Sequence, residues 1–223
     1  AKEKGFTSDH EAQLDIGGYD AAHKLTILST LCFGSNLNFK QNSIEGISNV
    51  KIEDINFAKR LGYKIKLISE SSIIDNKISN FTSPKLVNSK NSLANVGGVL
   101  NAINISSDHL DNLCLEGQGA GGKPTASSIL SDLYYISQND IFDNLGFNTS
   151  ELIDYSKYNS DNIINRYYLR IMTDDKPGVL SSITNNFTES DISVEKILQL
   201  PDNSIINSAI PIIITTHKIK KEV

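Results

Sequence analysis

Apolar residues recur along this chain in two kinds of spacing, one typical of helices and one typical of strands. Spacings of three and four residues predict helices over 20–33, 52–61 and 124–137. Alternating or short continuous apolar runs predict strands over 63–68, 84–87, 99–105 and 113–115. Because these elements are interspersed without a regular strand–helix–strand repeat, we expect an α+β fold, with a mixed sheet and packed helices.

The pattern changes after residue 137. Residues 138–165 are rich in Asn, Asp and Ser and only weakly periodic, which is typical of a connector between packed units. A compact strand–helix–strand–strand order follows, over 167–172, 178–190, 192–199 and 210–216. We therefore expect a first domain at 1–145, a linker at 146–165 and a second domain at 166–223 with a ferredoxin-like βαββ(α) order.

The helix predicted over 20–33 has a wide apolar face. Asp20 stands where a capping residue is expected, and Gly34 stands where the helix should end. Apolar side chains cover much of its circumference, namely Ala21, Leu25, Leu28 and Cys32 on one face, with Ile27 and Leu31 beside them. We therefore expect this helix to be well buried.

Lys24 lies within this helix, four residues after Asp20. That spacing puts both side chains on one helical face, where an ordinary ion pair is one interpretation. A lysine held near a buried surface is the other, because such a lysine is a candidate proton donor with a tunable pKa. Acidic side chains close by would suit a substrate that carries an ammonium group. They are Asp9, Glu11, Asp15 and Asp20.

A second candidate segment, residues 117–122, holds four glycines between a predicted strand and a predicted helix. Gly117, Gly119 and Gly122 have the spacing of a dinucleotide-binding motif, but the strand and acidic residue that should follow are not in the pattern. Pro124 argues against a P-loop, in which the residue after the lysine supplies a hydroxyl. Two interpretations remain, a loop that approaches a ligand closely and a tight turn that needs positive φ.

Composition narrows the classes of partner. The chain has 223 residues, 39% of them hydrophobic, and a formal net charge of -5, so it can bury a core and has no positive field for nucleic acid. No apolar run reaches the length of a membrane span, and we expect a cytoplasmic protein without a membrane partner. Cys32 and Cys114 lie in apolar segments and are expected to be buried free thiols. The four histidines are scattered and predict no metal site.

Two motifs in this chain resemble the catalytic half of homoserine dehydrogenase. They are Gly18-Tyr-Asp-Ala-Ala-His-Lys-Leu-Thr-Ile-Leu and Gly117-Gln-Gly-Ala-Gly-Gly-Lys-Pro-Thr-Ala-Ser. Shorter similarities at Glu45-Gly-Ile, at 54–67 and at Leu93-Ala-Asn-Val extend the resemblance over most of residues 1–136. The segments at 167–171, 175–180, 192–197 and 212–217 are similar to an ACT domain, a regulatory domain common in that family.

The resemblance implies a reaction and a set of site residues. The reaction is the reversible reduction of L-aspartate 4-semialdehyde to L-homoserine by NADH or NADPH, in the biosynthesis of threonine, methionine and isoleucine. The matching site residues are Lys24, the proton donor, and Asp20 for catalysis, Asp9 and Asp15 for substrate binding, and Gly117, Gly119 and Gly121 for the approach to the cofactor. The resemblance also implies a homo-oligomer, a dimer or a tetramer.

The chain departs from the family pattern in several places. At Asp9-His-Glu-Ala the family has a Glu within Glu-x-Asp-Pro, so the carboxylate here is one methylene shorter. The family's amino-terminal dinucleotide-binding domain is missing, and the single methionine is Met172 rather than residue 1. We therefore expect a portion of a longer protein that is inactive alone. The ACT domain is expected to be incomplete, because its last helix would begin near Ile219.

The ACT resemblance also implies an effector site at the start of the helix over 178–190. There, backbone N–H groups would bind the carboxylate of an amino acid such as threonine. The residues expected at that site are Asp175, Gly178, Val179 and Leu180. A plain strand-to-helix turn containing Pro177 is the other interpretation. The same domain supports an alternative function, a non-catalytic amino-acid-binding regulatory module in which the first domain is a scaffold.

Overall fold

The computed structural model describes residues 9–36, 38–138, 148–199 and 209–220. The chain divides into two compact units, residues 1–157 and 158–223. The division falls inside the segment 146–165. Each unit combines helices with β-strands, so the predicted α+β fold class is confirmed.

The first unit contains the predicted mixed sheet together with its helices. Its described helices are α1 (Asp9–Gly17), α2 (Tyr19–Phe33), α3 (Ile52–Arg60), α4 (Ser92–Asn95) and α5 (Gly122–Gln138). Its described strands are β1 (Asn42–Ile44), β2 (Tyr63–Ile74), β3 (Lys77–Asn88), β4 (Leu100–Ser107), β5 (Leu110–Gln118) and β6 (Ser156–Lys157). The short strands predicted at 84–87 and 113–115 are pieces of the longer strands β3 and β5.

A long hairpin of β2 and β3 forms the main sheet of this unit. The two strands pair along their whole length, from Tyr63 opposite Asn88 to Ile74 opposite Lys77. Asp75 and Asn76 make the turn with positive φ, which short Asp and Asn side chains tolerate. Strands β1 and β6 pair with β3 in the parallel direction, whereas β4 and β5 form a separate antiparallel hairpin.

Helix α2 packs on the main sheet with a face that its apolar pattern does not indicate. Its buried side chains are Ala22, Leu25, Thr26, Ser29 and Thr30. Ile27, Leu31 and Cys32 are exposed, so the prediction of a well-buried apolar face that includes Cys32 is wrong. Serine and threonine can occupy the buried face because their hydroxyls find hydrogen-bond partners there.

The second unit has the predicted order of strand, helix, strand and strand, but Ile219–Lys220 form a short strand where a last helix was expected to begin. Its described elements are β7 (Ile164–Asn165), β8 (Tyr168–Thr173), α6 (Val179–Glu189), β9 (Val194–Gln199), β10 (Ile210–Thr216) and β11 (Ile219–Lys220). Strand β10 lies between β8 and β9 and is antiparallel to both. It carries the core of the unit, with Ile212, Ile213 and Ile214 at most 2% exposed.

Candidate active site

A sharp corner between α1 and α2 carries two of the predicted acidic residues. Gly18 forms the corner with φ of 80°, a left-handed conformation that glycine adopts without strain. Its backbone N–H donates to the carbonyl of Asp15 at 3.1 Å, and its carbonyl accepts from the N–H of Ala22 at 3.0 Å. Gly18 therefore caps α2, and the prediction that Asp20 caps this helix is wrong. Asp15 and Asp20 lie on either side of the corner.

Asp20 and Lys24 meet on the outer face of α2. Their Oδ2 and Nζ atoms are 2.5 Å apart, and 44% and 56% of the two side chains are exposed. The expectation of a lysine held at a buried surface is therefore wrong, because the helix turns its hydroxyl-bearing face towards the sheet. The ion pair formed instead is the ordinary one for this spacing, worth about 0.3–0.5 kcal/mol of folding stability at an exposed site. The pair holds a proton-bearing ammonium where a ligand can reach it.

Hydrogen bonds on the opposite face fix how α2 lies on the sheet. The Ser29 hydroxyl donates to Ser71 Oγ at 2.7 Å, and the Ser71 hydroxyl donates to Asn80 Oδ1 at 2.6 Å. Ser29 and Asn80 are 2% and 3% exposed, so these bonds are shielded from water. Because the inner face is held in this way, the face that carries Asp20 and Lys24 must point away from the sheet.

Two neighbouring residues complete the description of this region. The His23 ring stacks on Phe39, with centroids 4.2 Å apart and planes inclined by 28°. His23 therefore packs against the Phe39 ring. The side chain of Asp9, a predicted substrate ligand at the start of α1, lies outside the described part of the structure.

Gly117 lies near the end of β5, and Gly119 and Gly121 lie on the segment that joins β5 to α5. A Cβ at Gly119 would lie 2.2 Å from the side-chain nitrogen of Asn101, so the Asn101 side chain would have to move to admit a side chain there. Gly121 has φ of 123°, which L-residues rarely adopt. A Cβ at Gly117 would meet no atom within 4 Å. The tight-turn interpretation thus explains Gly121 but not Gly119, whose φ is not positive, and Gly117 leaves an open strand surface.

The structure brings only part of the predicted catalytic set together. Asp20 and Lys24 are in direct contact, and Asp15 lies across the corner from them. Among the hydrogen bonds and ion pairs given by the described residues, none joins residues 117–121 to Asp15, Asp20 or Lys24.

A cleft in the second unit gathers the four predicted effector residues. It has a volume of about 380 Å³ and is lined by residues 173–180 together with Gln199 and Ile212. Gly178, with φ of 93°, caps α6 at the cleft, so the first turn of that helix faces it. Gln199 and Ile212 are cleft residues that the sequence did not indicate, because they come from β9 and β10 and carry no local signal.

The cleft also contains an ion pair that the sequence did not predict. Lys176 Nζ lies 2.7 Å from Asp174 Oδ2, and both side chains are well exposed. The hydrogen bond from Lys176 and its positive charge lower the pKa of Asp174. The same contact raises the pKa of Lys176. Both charges are therefore present at the cleft at neutral pH.

Cys32 and Cys114 are both exposed, so the prediction of buried thiols is wrong. Within the described ranges, no helix is both long and apolar enough to cross a membrane. Those same ranges contain no group of three or more His, Cys, Asp or Glu side chains that could hold a metal ion.

The acid–lysine site lies within a segment that matches a known protein family. A family model described as homoserine dehydrogenase matches residues 1–134. The match covers more than half of the chain and includes both the α1–α2 corner and the glycine segment. The chain therefore belongs to the homoserine dehydrogenase family.

Relatives and solved structures support the same assignment. The chain is 34% identical to the homoserine dehydrogenase of Pseudomonas aeruginosa, over 95% of this chain and 50% of the relative. It is also 34% identical to that of Bacillus subtilis, over 97% and 50%. The crystal structure of a homoserine dehydrogenase from Thiobacillus denitrificans superposes with a TM-score of 0.82 and 32% identity, over 96% of this chain and 49% of that one. The chain spans about half the length of the relatives it matches.

Proposed function

We propose that this chain carries the substrate-binding half of an NAD- or NADP-dependent homoserine dehydrogenase, an oxidoreductase of amino-acid biosynthesis. The reaction is the interconversion of L-homoserine and L-aspartate 4-semialdehyde. The observation that carries the proposal is the accessible Asp20–Lys24 pair beside the α1–α2 corner, inside the segment that the family model matches. The family match lies on the first unit, which favours this function over a purely regulatory module.

Lys24 is the proposed proton donor. In the reduction, its ammonium lies against the aldehyde oxygen and donates a proton as negative charge develops there. Asp20, whose Oδ2 accepts a hydrogen bond from the ammonium at 2.5 Å, restricts the positions that the ammonium can take. In the oxidation of homoserine the neutral amine takes the hydroxyl proton back. Asp15 and Asp9 supply carboxylates for the α-ammonium group of the substrate.

The cofactor proposal rests on the segment after β5. A bound nicotinamide dinucleotide would supply or accept the hydride, chemistry that no side chain provides. Gly117, Gly119 and Gly121 present backbone without side chains, and the space above Gly117 is open, so the segment fits the approach of a flat ring. These residues would orient the ring. They do not determine whether the cofactor is NAD or NADP.

In this proposal the second unit is an ACT domain that binds an amino acid such as threonine as an effector. The support is the cleft at the start of α6, where backbone N–H groups suit a carboxylate and the Asp174–Lys176 pair offers both charges. Residues 166–223 would then be the regulatory domain and 146–165 the linker after a first domain at 1–145.

The proposed protein is a homo-oligomer, a dimer or a tetramer, in the cytoplasm. Support for an assembly comes from uncovered apolar surface on α5, which is typical of interaction sites. The helix exposes 55–69% of the side chains of Ile129, Leu130, Leu133 and Tyr134.

A fusion tests the proposed function. The amino-terminal half of the Pseudomonas aeruginosa relative, joined to this chain, is expected to reduce NAD or NADP when L-homoserine is added, because the fusion supplies both halves of the site. The measurement is the absorbance of the reduced nicotinamide, with each half alone as a control. A folded fusion that binds the dinucleotide but shows no homoserine-dependent reduction would contradict the proposal.

A further inference from the structure

The corner between α1 and α2 rests on the end of β1. The N–H of Ile47 donates to the carbonyl of Ile16 at 2.8 Å, which ties residues 45–47 to the last turn of α1. The N–H of Glu45 donates to the carbonyl of Thr82 at 2.8 Å, which ties the same segment to β3. Residues 45–47 therefore lie between the corner and the sheet, with a backbone hydrogen bond in each direction.

Gly46 is in contact with the corner itself. A Cβ at this position would lie 2.3 Å from the carbonyl oxygen of Ile16 and 2.8 Å from the Cα and carbonyl carbon of Gly17. All three atoms belong to the backbone, so a flexible side chain cannot relieve the contact by moving aside. Gly46 is not among the described glycines with positive φ. Lack of space, rather than backbone conformation, requires glycine at this position.

The corner is also supported at Gly18. A Cβ there would lie 3.3 Å from Cγ2 of Thr82 and 3.4 Å from Cγ2 of Ile44. Thr82 is fully buried, and its hydroxyl is 2.8 Å from that of Ser69 on β2. The corner thus packs on the methyl groups of Thr82 and Ile44, and Gly46 packs against it on the side of Ile16.

We propose that Gly46 is a positioning residue for Asp15, the substrate-binding carboxylate on α1, and for Asp20, the partner of Lys24 on α2. The inference rests on the proposed function, because it gives a role to a residue that touches neither substrate nor cofactor. Because Gly46 has no side chain, the end of β1 packs directly on the corner. This contact fixes how Asp15 on α1 and Asp20 on α2 are oriented towards the substrate. A shift of about 1 Å in such a group costs on the order of 100-fold in rate.

Gly46→Ala in the active fusion tests the positioning role. We expect KM for L-homoserine to rise about 10-fold or more and kcat/KM to fall by about 100-fold, because the corner must move to admit a methyl group. KM for the dinucleotide should stay within about twofold, since the glycine segment does not depend on Gly46. Gly97→Ala is the matched control. The nearest atom to a Cβ at Gly97 is 4.0 Å away, and its φ is not positive, so its kinetics should not change.

A second pair of variants decides the question if Gly46→Ala does not fold. Thr82→Ser removes the methyl group beneath Gly18 and keeps the hydroxyl that faces Ser69. Thr82→Val keeps that methyl group and removes the hydroxyl. We expect Thr82→Ser to raise KM for homoserine severalfold, with no change in dinucleotide KM, and Thr82→Val to leave homoserine KM close to wild type despite a lower melting temperature.

The outcomes separate the two proposals. A folded wild-type fusion that binds the dinucleotide but does not oxidise homoserine overturns the proposed function, and the positioning role with it. An active wild type whose homoserine KM is unchanged in folded Gly46→Ala overturns the positioning role alone. Parallel losses for homoserine and dinucleotide would also overturn it, because they would indicate general damage to the fold. If Gly46→Ala does not fold, equal homoserine KM values for Thr82→Ser and Thr82→Val would overturn the positioning role.

Discussion

The ion pair between Asp20 and Lys24 lies on the outer face of α2, where its contribution to folding is small and its access to a ligand is good. The spacing of four residues was enough to predict the pair from the sequence. It was not enough to predict exposure, because Thr26, Ser29 and Thr30 count as polar in any pattern and are nevertheless the side chains that face the sheet.

The Asp174–Lys176 pair should make the stability of the fold depend on pH. Since the pKa of Asp174 is lowered, the pair stabilises the fold above the ordinary carboxyl range, and this contribution is lost as the pH falls through the lowered pKa. Since the pKa of Lys176 is raised, its contribution is complete at neutral pH and is lost only as the pH rises through the raised pKa. An NMR titration of the Asp174 carboxyl in Lys176→Met should show its pKa returning upwards towards the ordinary value. A titration identical to wild type would show that Lys176 is not the cause.

Hydrogen bonds between hydroxyl and amide side chains distinguish α2 from an ordinary apolar helix. Ser29, Ser71 and Asn80 join the helix to both strands of the main hairpin. The same residues explain why only the ends of that hairpin were predicted, at 63–68 and 84–87. The buried stretch of β3, from Ile78 to Thr82, contains Ser79, Asn80 and Thr82, so apolar alternation is lost where that strand is most buried.

Ser29→Ala measures the strength of this contact. Removal of the hydroxyl leaves the shielded Ser71 and Asn80 with one partner fewer, and we expect a loss of about 1–2 kcal/mol in the free energy of unfolding. The matched control is Ser127→Ala on α5, an exposed helical serine, for which the change should be within about 0.5 kcal/mol. Urea denaturation followed by circular dichroism gives both values. Equal midpoints for the two variants would show that the buried hydrogen bonds add nothing.

The sequence predicts some features of the two units and not others. The α+β class and the βαββ order of the second unit follow from local periodicity, because each strand and helix there has its own apolar pattern. Contacts made by residues far apart in the sequence do not follow from it. Gly46 against Ile16 is one example, and Gln199 with Ile212 at the cleft beside α6 is another. Both depend on which strands become neighbours, and no short stretch of sequence contains that information.

The most direct measurement is the turnover of homoserine by the fusion with Lys24→Gln. Lys59→Gln, which removes an exposed lysine on α3 outside the site, is the control for the loss of one positive charge. If Lys24 is the proton donor, kcat should fall by about 100-fold to 10,000-fold while dinucleotide affinity and melting temperature stay close to wild type. The control should keep its activity. A Lys24→Gln fusion that turns over homoserine as fast as the Lys59→Gln control would contradict the role assigned to Lys24.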